Sequence, residues 1–219
     1  DREEKVAAIL PVSEFSDKQF LVFATEQGLV KKTSLMAFSR PTIAGIIAIK
    51  VQEGDRLLSA KLTDGNQNIF LGTYLGKSIR FPEKQCRAMG RNTRGVKGIR
   101  LAEADVVVGV DVVGEAGAIL TVTENGYGKR TDVNKYRTQT RGGKGLIDIK
   151  TSPRNGPVVG QKLVDEDGEV MIITSAGKLI RTGAKGIKVQ SRNTQGVKVI
   201  SLGEGDRVVS VARLRETAT

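Results

Sequence analysis

The stretch Thr25-Glu-Gln-Gly-Leu-Val-Lys-Lys32 decides the fold of this chain, because the sequence contains three further, altered copies of it. The other copies are Thr73-Tyr-Leu-Gly-Lys-Ser-Ile-Arg80, Thr123-Glu-Asn-Gly-Tyr-Gly-Lys-Arg130 and Thr174-Ser-Ala-Gly-Lys-Leu-Ile-Arg181. Their glycines lie roughly 50 residues apart, a period that is typical of solenoids, propellers and other repeat arrays. A cation follows each glycine by four residues, so we expect a repeated cation that faces a repeated anion.

Each repeat reads as four short strands. A β-branched apolar run, the glycine turn and a second short run predict a hairpin. A polar connector then leads to a further glycine and a third strand, and an acidic turn leads to a closing strand. Four strands are the content of a propeller blade, so we predict an all-β, propeller-like fold of four-stranded blades. The single domain at 1–219 would contain repeats at about 18–62, 67–113, 117–164 and 168–214. Residues 1–12 resemble the end of a preceding repeat, and we expect at least one repeat upstream.

The composition favours a binder of polyanions and argues against an enzyme. The chain has a formal net charge of +11, from 35 Lys and Arg against 24 Asp and Glu. It contains no histidine, which excludes Ser/His/Asp and Cys/His nucleophile pairs. Residues 90–97 fail as a phosphate loop, because Val96 stands where that loop needs its lysine. Cys86 is the only cysteine, and the sequence has neither a signal peptide nor a membrane-spanning apolar run.

The cations are concentrated in the connectors. Residues 84–100 contain six cations and no carboxylate, residues 178–198 repeat this pattern, and residues 129–144 contain six cations with Asp132 alone. One such run is usually a solvated face, but runs in register on a repeat scaffold predict a continuous basic stripe. Aromatic residues make up only 4% of the chain, which favours duplex DNA over single strands that need stacking platforms. The candidate DNA-binding residues of this stripe are Lys31, Lys32, Arg80, Arg87, Arg91, Arg94, Lys97, Lys129, Arg130, Arg137, Arg181, Lys188, Arg192 and Lys198.

One connector contains a glycine box, Gln139-Thr-Arg-Gly-Gly-Lys-Gly145, in which Gln139, Arg141, Gly142, Gly143, Lys144 and Gly145 are further candidates for DNA binding. This box resembles that of the C-terminal domain of DNA gyrase A, and so do Thr123-Glu-Asn-Gly-Tyr-Gly-Lys-Arg130 and residues 89–98. The resemblance implies a β-pinwheel, in which neighbouring blades exchange strands, that wraps duplex DNA on a basic rim without catalysis. It also implies ATP-dependent negative supercoiling together with the N-terminal region of gyrase A and with gyrase B. ATP and Mg would then bind elsewhere in the parent, with no cofactor in this segment, no membrane partner and a location at the cytoplasmic nucleoid.

The box departs from the family pattern in two ways, and alternatives remain. Thr140 stands where the family has Arg or Lys, and the principal box of the family lies in the first blade. The repeat count places this box in the fifth blade, so we expect DNA binding with poor wrapping. One alternative is the matching domain of topoisomerase IV, in the protein that corresponds to gyrase A. Another is a propeller-type protein-interaction module whose cations serve solubility.

Overall fold

A computed structural model describes residues 6–214, which fold into antiparallel blades around a central pocket. Blade 1 contains β1 (Phe20–Thr25), β2 (Leu29–Ser34), β3 (Leu57–Thr63) and β6 (Val96–Lys97). Blade 2 contains β4 (Asn68–Thr73), β5 (Lys77–Pro82), β7 (Val107–Val113) and β10 (Leu146–Ile147). Blade 3 contains β8 (Ala118–Thr123), β9 (Tyr127–Asp132), β11 (Val158–Val164) and β14 (Val197–Lys198). Blade 4 contains β12 (Glu169–Thr174), β13 (Leu179–Gly183) and β15 (Val208–Leu214).

The described residues contain no α-helix, which confirms the all-β prediction. Their helical elements are 3₁₀ turns at Leu35–Phe38, Glu83–Gln85, Val133–Lys135 and Ala184–Gly186. Each 3₁₀ turn directly follows the second strand of a hairpin. Within 6–214 no helix is long and apolar enough to span a membrane.

The hairpins form where the repeated sequence predicts them, and the first one shows why Thr and Gly recur. Gly28 adopts a φ of 79°, a left-handed conformation that favours glycine. Its N–H donates to the carbonyl of Thr25 at 3.0 Å, which closes the turn. The Thr25 hydroxyl then accepts the N–H of Leu29 at 3.2 Å. The threonine therefore satisfies a backbone donor that the tight turn would otherwise leave free.

Neighbouring blades exchange strands, as the resemblance to the gyrase domain implied. The outermost strand of each of the first three blades comes from the following repeat. For example, β6 of the second repeat pairs with β2 of the first, with Val96 opposite Val30. The prediction of four strands fails for one repeat and one blade. The first repeat supplies three strands, because no described strand pairs with residues 43–50. Blade 4 has three strands among the described residues, because the fourth strand of its repeat, β14, pairs with blade 3.

Three of the four hydrophobic clusters lie between consecutive blades. Val22 and Val30 of blade 1 pack in one cluster with Ile69 and Leu71 of blade 2. Ile99, which follows the exchanged strand β6, completes that cluster. The exchanged strand therefore closes a hydrophobic interface as well as a sheet.

The inner strands β3, β7, β11 and β15 line the central pocket of about 650 Å³. Residues Ala7–Pro11 line the same pocket without forming a strand. The closing part of a preceding repeat that the sequence predicts at 1–12 is thus not a strand over 6–12, and residues 1–5 lie outside the described part. Adjacent inner strands contact each other from β3 through β7 and β11 to β15. No contact of comparable extent joins β15 back to β3 within 6–214.

The acidic turns hold the hairpin loops by accepting their backbone N–H groups. Asp105 is 5% exposed, and its carboxylate accepts the N–H of Leu75 at 2.9 Å. Asp55 and Asp206 accept a hairpin N–H in the same way, at 2.9 and 3.0 Å. The residue before each aspartate is left-handed, with a φ of 76° at Gly54 and 58° at Ala104. The second repeat thus places an alanine where the first and fourth repeats use glycine.

Because a left-handed alanine carries steric strain, we expect Ala104→Gly to raise the free energy of unfolding by about 0.5 kcal/mol. The greater freedom of glycine in the unfolded chain offsets part of the strain that is relieved. Gly54→Ala is the reciprocal control, since a Cβ there meets no atom within 4 Å, and it should destabilise by a similar amount. Urea denaturation measures both variants. Destabilisation by Ala104→Gly would contradict the strain.

Candidate nucleic-acid interface

The connectors of the second, third and fourth repeats (86–100, 136–150 and 187–201) each run over the preceding blade. The N–H of Met89 donates to the carbonyl of Lys32 at 2.8 Å. The N–H groups of Gln139 and Gln190 donate in the same way to Arg80 and Arg130, each at 2.8 Å. These repeated backbone bonds fix the first part of each of the three connectors, independently of their basic side chains. The polar connectors therefore occupy equivalent places on successive blades.

Glycine allows the connectors to approach the blade beneath them. Gly145 has a φ of 71°, and a Cβ there would come within 2.6 Å of the carbonyl oxygen of Ser78. Gly95 and Gly196 repeat this contact, with carbonyl oxygens at 2.6 and 2.8 Å from an added Cβ. The last glycine of the box is thus needed for packing of the exchanged strand.

The repeated cation of the hairpin faces the protein interior, which corrects the expectation that it faces an external anion. Lys32, Arg80 and Arg130 are between 4% and 7% exposed. The Arg80 guanidinium donates to the carbonyls of Val133 at 3.3 Å and Gly114 at 3.1 Å, and it pairs with the Glu115 carboxylate.

The other two members bind the following repeat in the same way. The Lys32 ammonium donates to the carbonyl of Glu83 at 3.2 Å, and it lies 3.4 Å from the carboxylate of that residue. The Arg130 guanidinium donates to the carbonyl of Ile187 at 2.8 Å. Each buried cation therefore connects a hairpin to the 3₁₀ turn of the following repeat, or to the residue just after it.

Arg181 is the exception, because no described blade follows it. Its side chain is 65% exposed and pairs with the Glu169 carboxylate of the same blade. This difference shows that the repeated cation turns inward only where a following blade supplies carbonyl groups.

Lys31 and Lys129 are fully buried. The prediction that these two lysines bind DNA is therefore wrong for the same reason. The Lys129 ammonium donates to the carbonyls of Asp148 at 2.6 Å, Ser191 at 2.8 Å and Arg192 at 2.9 Å. Lys31 donates to the carbonyls of Ala48 and Arg91. Both lysines thus hold a connector of the next repeat by its backbone.

Burial changes the pKa of these two ammonium groups. It lowers the pKa of Lys129 to about 8, although the Asp148 carboxylate raises it, and the Arg192 cation lowers it further. Burial and the nearby Arg91 cation lower the pKa of Lys31 to about 8. At pH 7 both groups still carry the proton that their carbonyl partners accept.

Asp148 is also fully buried, and its carboxylate accepts hydrogen bonds from two strands and from the connector. Its carboxylate accepts from Thr121 at 2.7 Å, from Gln161 and from the hydroxyl of Tyr136. Tyr136 is 1% exposed, and its burial together with the Asp148 charge raises its pKa well above the usual value. The connector tyrosine therefore faces the core and offers no face for a base to stack on.

Two half-buried arginines, Arg141 and Arg192, donate to backbone carbonyls. The Arg141 guanidinium donates to the carbonyl of Lys97 at 2.5 Å, and the Arg192 guanidinium donates to that of Ile147 at 3.0 Å. Both bonds join a connector to the exchanged strand beside it. Arg91 is also half-buried. Gln139, Gly142 and Gly143 of the glycine box are half-buried as well, and Gly143 accepts the N–H of Arg100 at 2.8 Å.

The remaining candidates lie exposed on the connectors or on the strands they donate. We call them the rim cations: Arg87, Arg94, Lys97, Arg137, Lys144, Lys188 and Lys198. Lys84, Arg100, Lys135, Lys150 and Lys185 are exposed in the same region, and the charge runs of the sequence already contained most of them. Within the described residues, Arg94, Lys144 and Lys198 have no carboxylate within 4.0 Å of their charged nitrogens.

Antiparallel blades that exchange strands, together with exposed cations on the connectors, define the class of this protein. It is a strand-exchanged β-propeller with a basic rim. The family described as "DNA gyrase C-terminal domain, beta-propeller" matches residues 19–64, 67–114, 118–160 and 168–215. The chain belongs to this family, which confirms the resemblance seen in the sequence.

Relatives and solved structures agree with this assignment. The chain is 48% identical to the DNA gyrase A protein of Escherichia coli and 47% identical to that of Salmonella typhimurium, each over 99% of its own length. It spans about a quarter of the length of these relatives (25%). A structure of the DNA gyrase A C-terminal domain superposes with a TM-score of 0.88 at 29% identity, covering 98% of this chain and 72% of that one. The C-terminal domain of DNA topoisomerase IV shares the fold, with a TM-score of 0.91 at 24% identity, over 98% of this chain and 67% of that one.

We expect Lys129→Met to lower the free energy of unfolding by about 3 kcal/mol, because it leaves buried carbonyls without a donor. Lys144→Met is the matched control, since Lys144 is exposed, and it should change stability by less than about 0.5 kcal/mol. Urea denaturation of both variants tests the inward role of Lys129. Equal stability of the two variants would contradict it.

Proposed function

We propose that this chain binds duplex DNA without sequence specificity through its rim cations, as the C-terminal domain of a DNA gyrase A protein. The observation that carries the proposal is the repetition of exposed cations at equivalent places on successive blades. Arg94 and Lys144 each precede the glycine of their connector, while Lys97 and Lys198 follow theirs by two residues. A repeated cation on a regular scaffold suits the repeated phosphates of a DNA backbone.

The distribution of acidic residues supports the proposal. Asp148 and Glu83 are buried and bonded, and Asp55, Asp105 and Asp206 accept hairpin N–H groups. The rim therefore keeps its positive charge without neighbouring acids that would neutralise it.

The character of the rim favours a duplex over a single strand. Tyr136 is buried, and the Arg154 guanidinium lies over the ring of Tyr127 at 5.0 Å. Single-stranded nucleic acids are held mainly by exposed aromatic side chains on which their bases stack. A rim of arginine, lysine and backbone N–H groups contacts phosphates instead.

In the parent protein, the domain would bend or wrap DNA and present it to the rest of the enzyme. We propose that the N-terminal region of gyrase A and the whole of gyrase B are its partners in ATP-dependent negative supercoiling. ATP and Mg would bind in those parts, with no cofactor needed by this domain. The bacterial cytoplasm, at the nucleoid, is the location that this role requires.

The test is a triple variant, Arg94→Ala, Lys144→Ala and Lys198→Ala, measured by fluorescence anisotropy on a short duplex over a range of salt. Removal of three phosphate contacts should reduce the slope of log affinity against log salt by about three. The control changes Arg56, Arg207 and Arg213 to alanine, because these exposed arginines already pair with Glu26, Glu124 and Asp165. The control variant should have the same salt slope as the unsubstituted chain.

Charge loss is equal in the two variants, so the comparison separates a binding rim from general attraction. An equal effect of both triples would contradict the rim. Weak DNA binding by the unsubstituted 219-residue chain, unchanged in either triple variant, would favour a protein-interaction module. Charge reversal at Arg141 or Arg192 is a poorer test, because their guanidinium groups also hold the connectors.

Because Thr140 replaces a cation in the glycine box, we expect this chain to bind duplex DNA but to wrap it weakly. A topology-shift assay on relaxed circular DNA with a topoisomerase I measures the writhe that the chain captures. Thr140→Arg should increase the shift, and Thr140→Ser is the matched control that should leave it unchanged. If the unsubstituted chain itself produced a large positive topology shift, the expectation of weak wrapping would be contradicted.

A further inference from the structure

The turn that precedes the inner strand of each blade differs in the third repeat. In the other three repeats this turn contains two carboxylates separated by one residue, at 53 and 55, 103 and 105, and 204 and 206. In the third repeat the turn is Ser152-Pro-Arg-Asn-Gly-Pro157, which contains one cation and no carboxylate. The third repeat therefore presents Arg154 where the others present acids.

The turn of the third repeat is fixed to the neighbouring connector by Asn155, which is 0% exposed. The amide of Asn155 donates to the carbonyl of Gln195 in the connector of the fourth repeat at 3.0 Å, and to that of Lys150 at 2.9 Å. Its side-chain oxygen accepts the N–H of Ser152 at 2.8 Å. The turn therefore has a defined position beside a connector that carries two rim cations.

The tip of this turn is also bonded to the hairpin of blade 3. The Asn125 amide donates to the carbonyls of Pro153 at 3.1 Å and Arg154 at 3.2 Å. Gly156 has a φ of 73°, and a Cβ there would lie 3.2 Å from the side chain of Asn125. The backbone of Arg154 is therefore held in place, and its side chain extends from a fixed base.

The Arg154 side chain is exposed, and an aromatic ring orders it instead of an acid. Its guanidinium carbon lies 5.0 Å from the centroid of the Tyr127 ring, and its Nε lies 3.5 Å from the Tyr127 hydroxyl. Within 6–214 no carboxylate lies within 4.0 Å of its charged nitrogens. Glu124, an acid of the same hairpin, pairs with Arg207 at 3.6 Å. The terminal N–H groups of Arg154 can therefore bind an external anion.

Tyr127 joins Arg154 to the rim. Lys198 lies directly opposite Tyr127 in the pairing of β14 with β9, so the two side chains leave the sheet on the same face. The hydrogen bond from Arg154 lowers the pKa of the Tyr127 hydroxyl, and the charges of Arg154 and Lys198 lower it further. Arg154, Tyr127 and Lys198 therefore form one continuous surface.

This surface distinguishes blade 3 from blades 1 and 2. The corresponding strand pairs there are Leu29 with Lys97 and Lys77 with Ile147, which contain no aromatic residue. The turns of those two blades carry carboxylates in place of a cation. The basic surface is therefore wider at blade 3 than at the two blades before it.

We infer that Arg154, held over the Tyr127 ring beside Lys198, binds a backbone phosphate of duplex DNA and extends the basic surface from the connectors onto this turn. The inference rests on the proposed function and adds to it a residue outside the connectors. A guanidinium offers two parallel N–H groups to a phosphate, which makes arginine a strong phosphate ligand. An arginine that already lies on a ring has less conformational freedom to lose on binding.

A phosphate fits this surface better than a stacked base does. One face of the Tyr127 ring is covered by the Arg154 guanidinium, so a base would have to displace a cation from that face. A phosphate leaves the stacked arginine in place and brings its negative charge to a surface that carries two cations. The ring therefore serves to position Arg154, and the arginine makes the contact with DNA.

The test compares Arg154→Ala with Arg56→Ala by fluorescence anisotropy on a short duplex over a range of salt. Arg154→Ala should reduce the slope of log affinity against log salt by about one, and should lower the affinity about eight-fold at about 0.1 M salt. Arg56→Ala is the matched control, because Arg56 is an exposed arginine at the turn of the first repeat that pairs with Glu26 at 3.0 Å. This control should keep the slope of the unsubstituted chain.

Substitutions of Tyr127 test the positioning role without changing a charge. Tyr127→Leu removes the ring and introduces the residue that stands at the equivalent position 29. It should lower the affinity about three-fold, because Arg154 loses the ring that orders it. In a chain that also carries Arg154→Ala, the same substitution should have no further effect. Tyr127→Phe keeps the ring and should keep the affinity.

The outcomes separate this inference from the proposed function. An unchanged salt slope in Arg154→Ala would overturn the inference, while a loss in the triple variant of Arg94, Lys144 and Lys198 would leave the proposed function standing. No loss in either variant would overturn both. Equal losses in Arg154→Ala and Arg56→Ala would show general attraction and overturn the inference. A loss from Tyr127→Leu that persists without Arg154 would show a base stacked on the ring and overturn the phosphate contact.

Discussion

The contact between the cation of each hairpin and the carbonyl groups of the following repeat is the interaction on which the array depends. A buried guanidinium or ammonium is costly unless its donors are bonded. Arg130 donates from Nε, and Arg80 from its two terminal nitrogens although its Nε has no partner, to carbonyls that only a correctly placed next blade can supply. The contact therefore rewards one relative position of consecutive blades, whereas apolar packing alone would tolerate small shifts. Arg181, which has no following blade among the described residues, remains exposed and pairs within its own blade.

Strand exchange then determines where the basic rim lies. A chain that must donate a short strand to the previous blade has to cross that blade, and the connectors are the segments that cross it. Their backbones are fixed by bonds such as that from the N–H of Met89 to Lys32 and by glycines such as Gly145. Side chains that are not used in this docking point outward. The rim is therefore a consequence of the exchange, and its charge could vary without loss of the fold.

The sequence was sufficient to predict the repeats, the hairpins and the all-β class, because these depend on local patterns of glycine, threonine and β-branched residues. It was not sufficient to separate inward from outward cations. Lys31 and Lys32 are consecutive on a strand, so their side chains leave on opposite faces, and yet both are buried. Both are buried because residues far along the chain cover both faces of β2: Lys31 binds the carbonyls of Ala48 and Arg91, and Lys32 binds the carbonyl of Glu83 in the next repeat. A charge run read along the sequence contains no information about those distant partners.

The separation of inward and outward cations also determines which positions can change the surface charge of the domain without changing its stability. Lys129 and Arg130 keep their charge inside, where carbonyl groups and the Asp148 carboxylate surround them. They contribute to the formal net charge of the chain, but their hydrogen bonds are already made within the protein. Lys144 and Lys198 lie outside and hold no structural bond among the described residues, so substitutions there change the surface potential at little cost to stability. Between these extremes, Arg141 and Arg192 bind the exchanged strand while part of each guanidinium remains exposed. At these two positions, surface charge and blade assembly cannot be changed independently. This gives a physical reason for arginine there, since some of its N–H donors can bind the strand while others remain exposed.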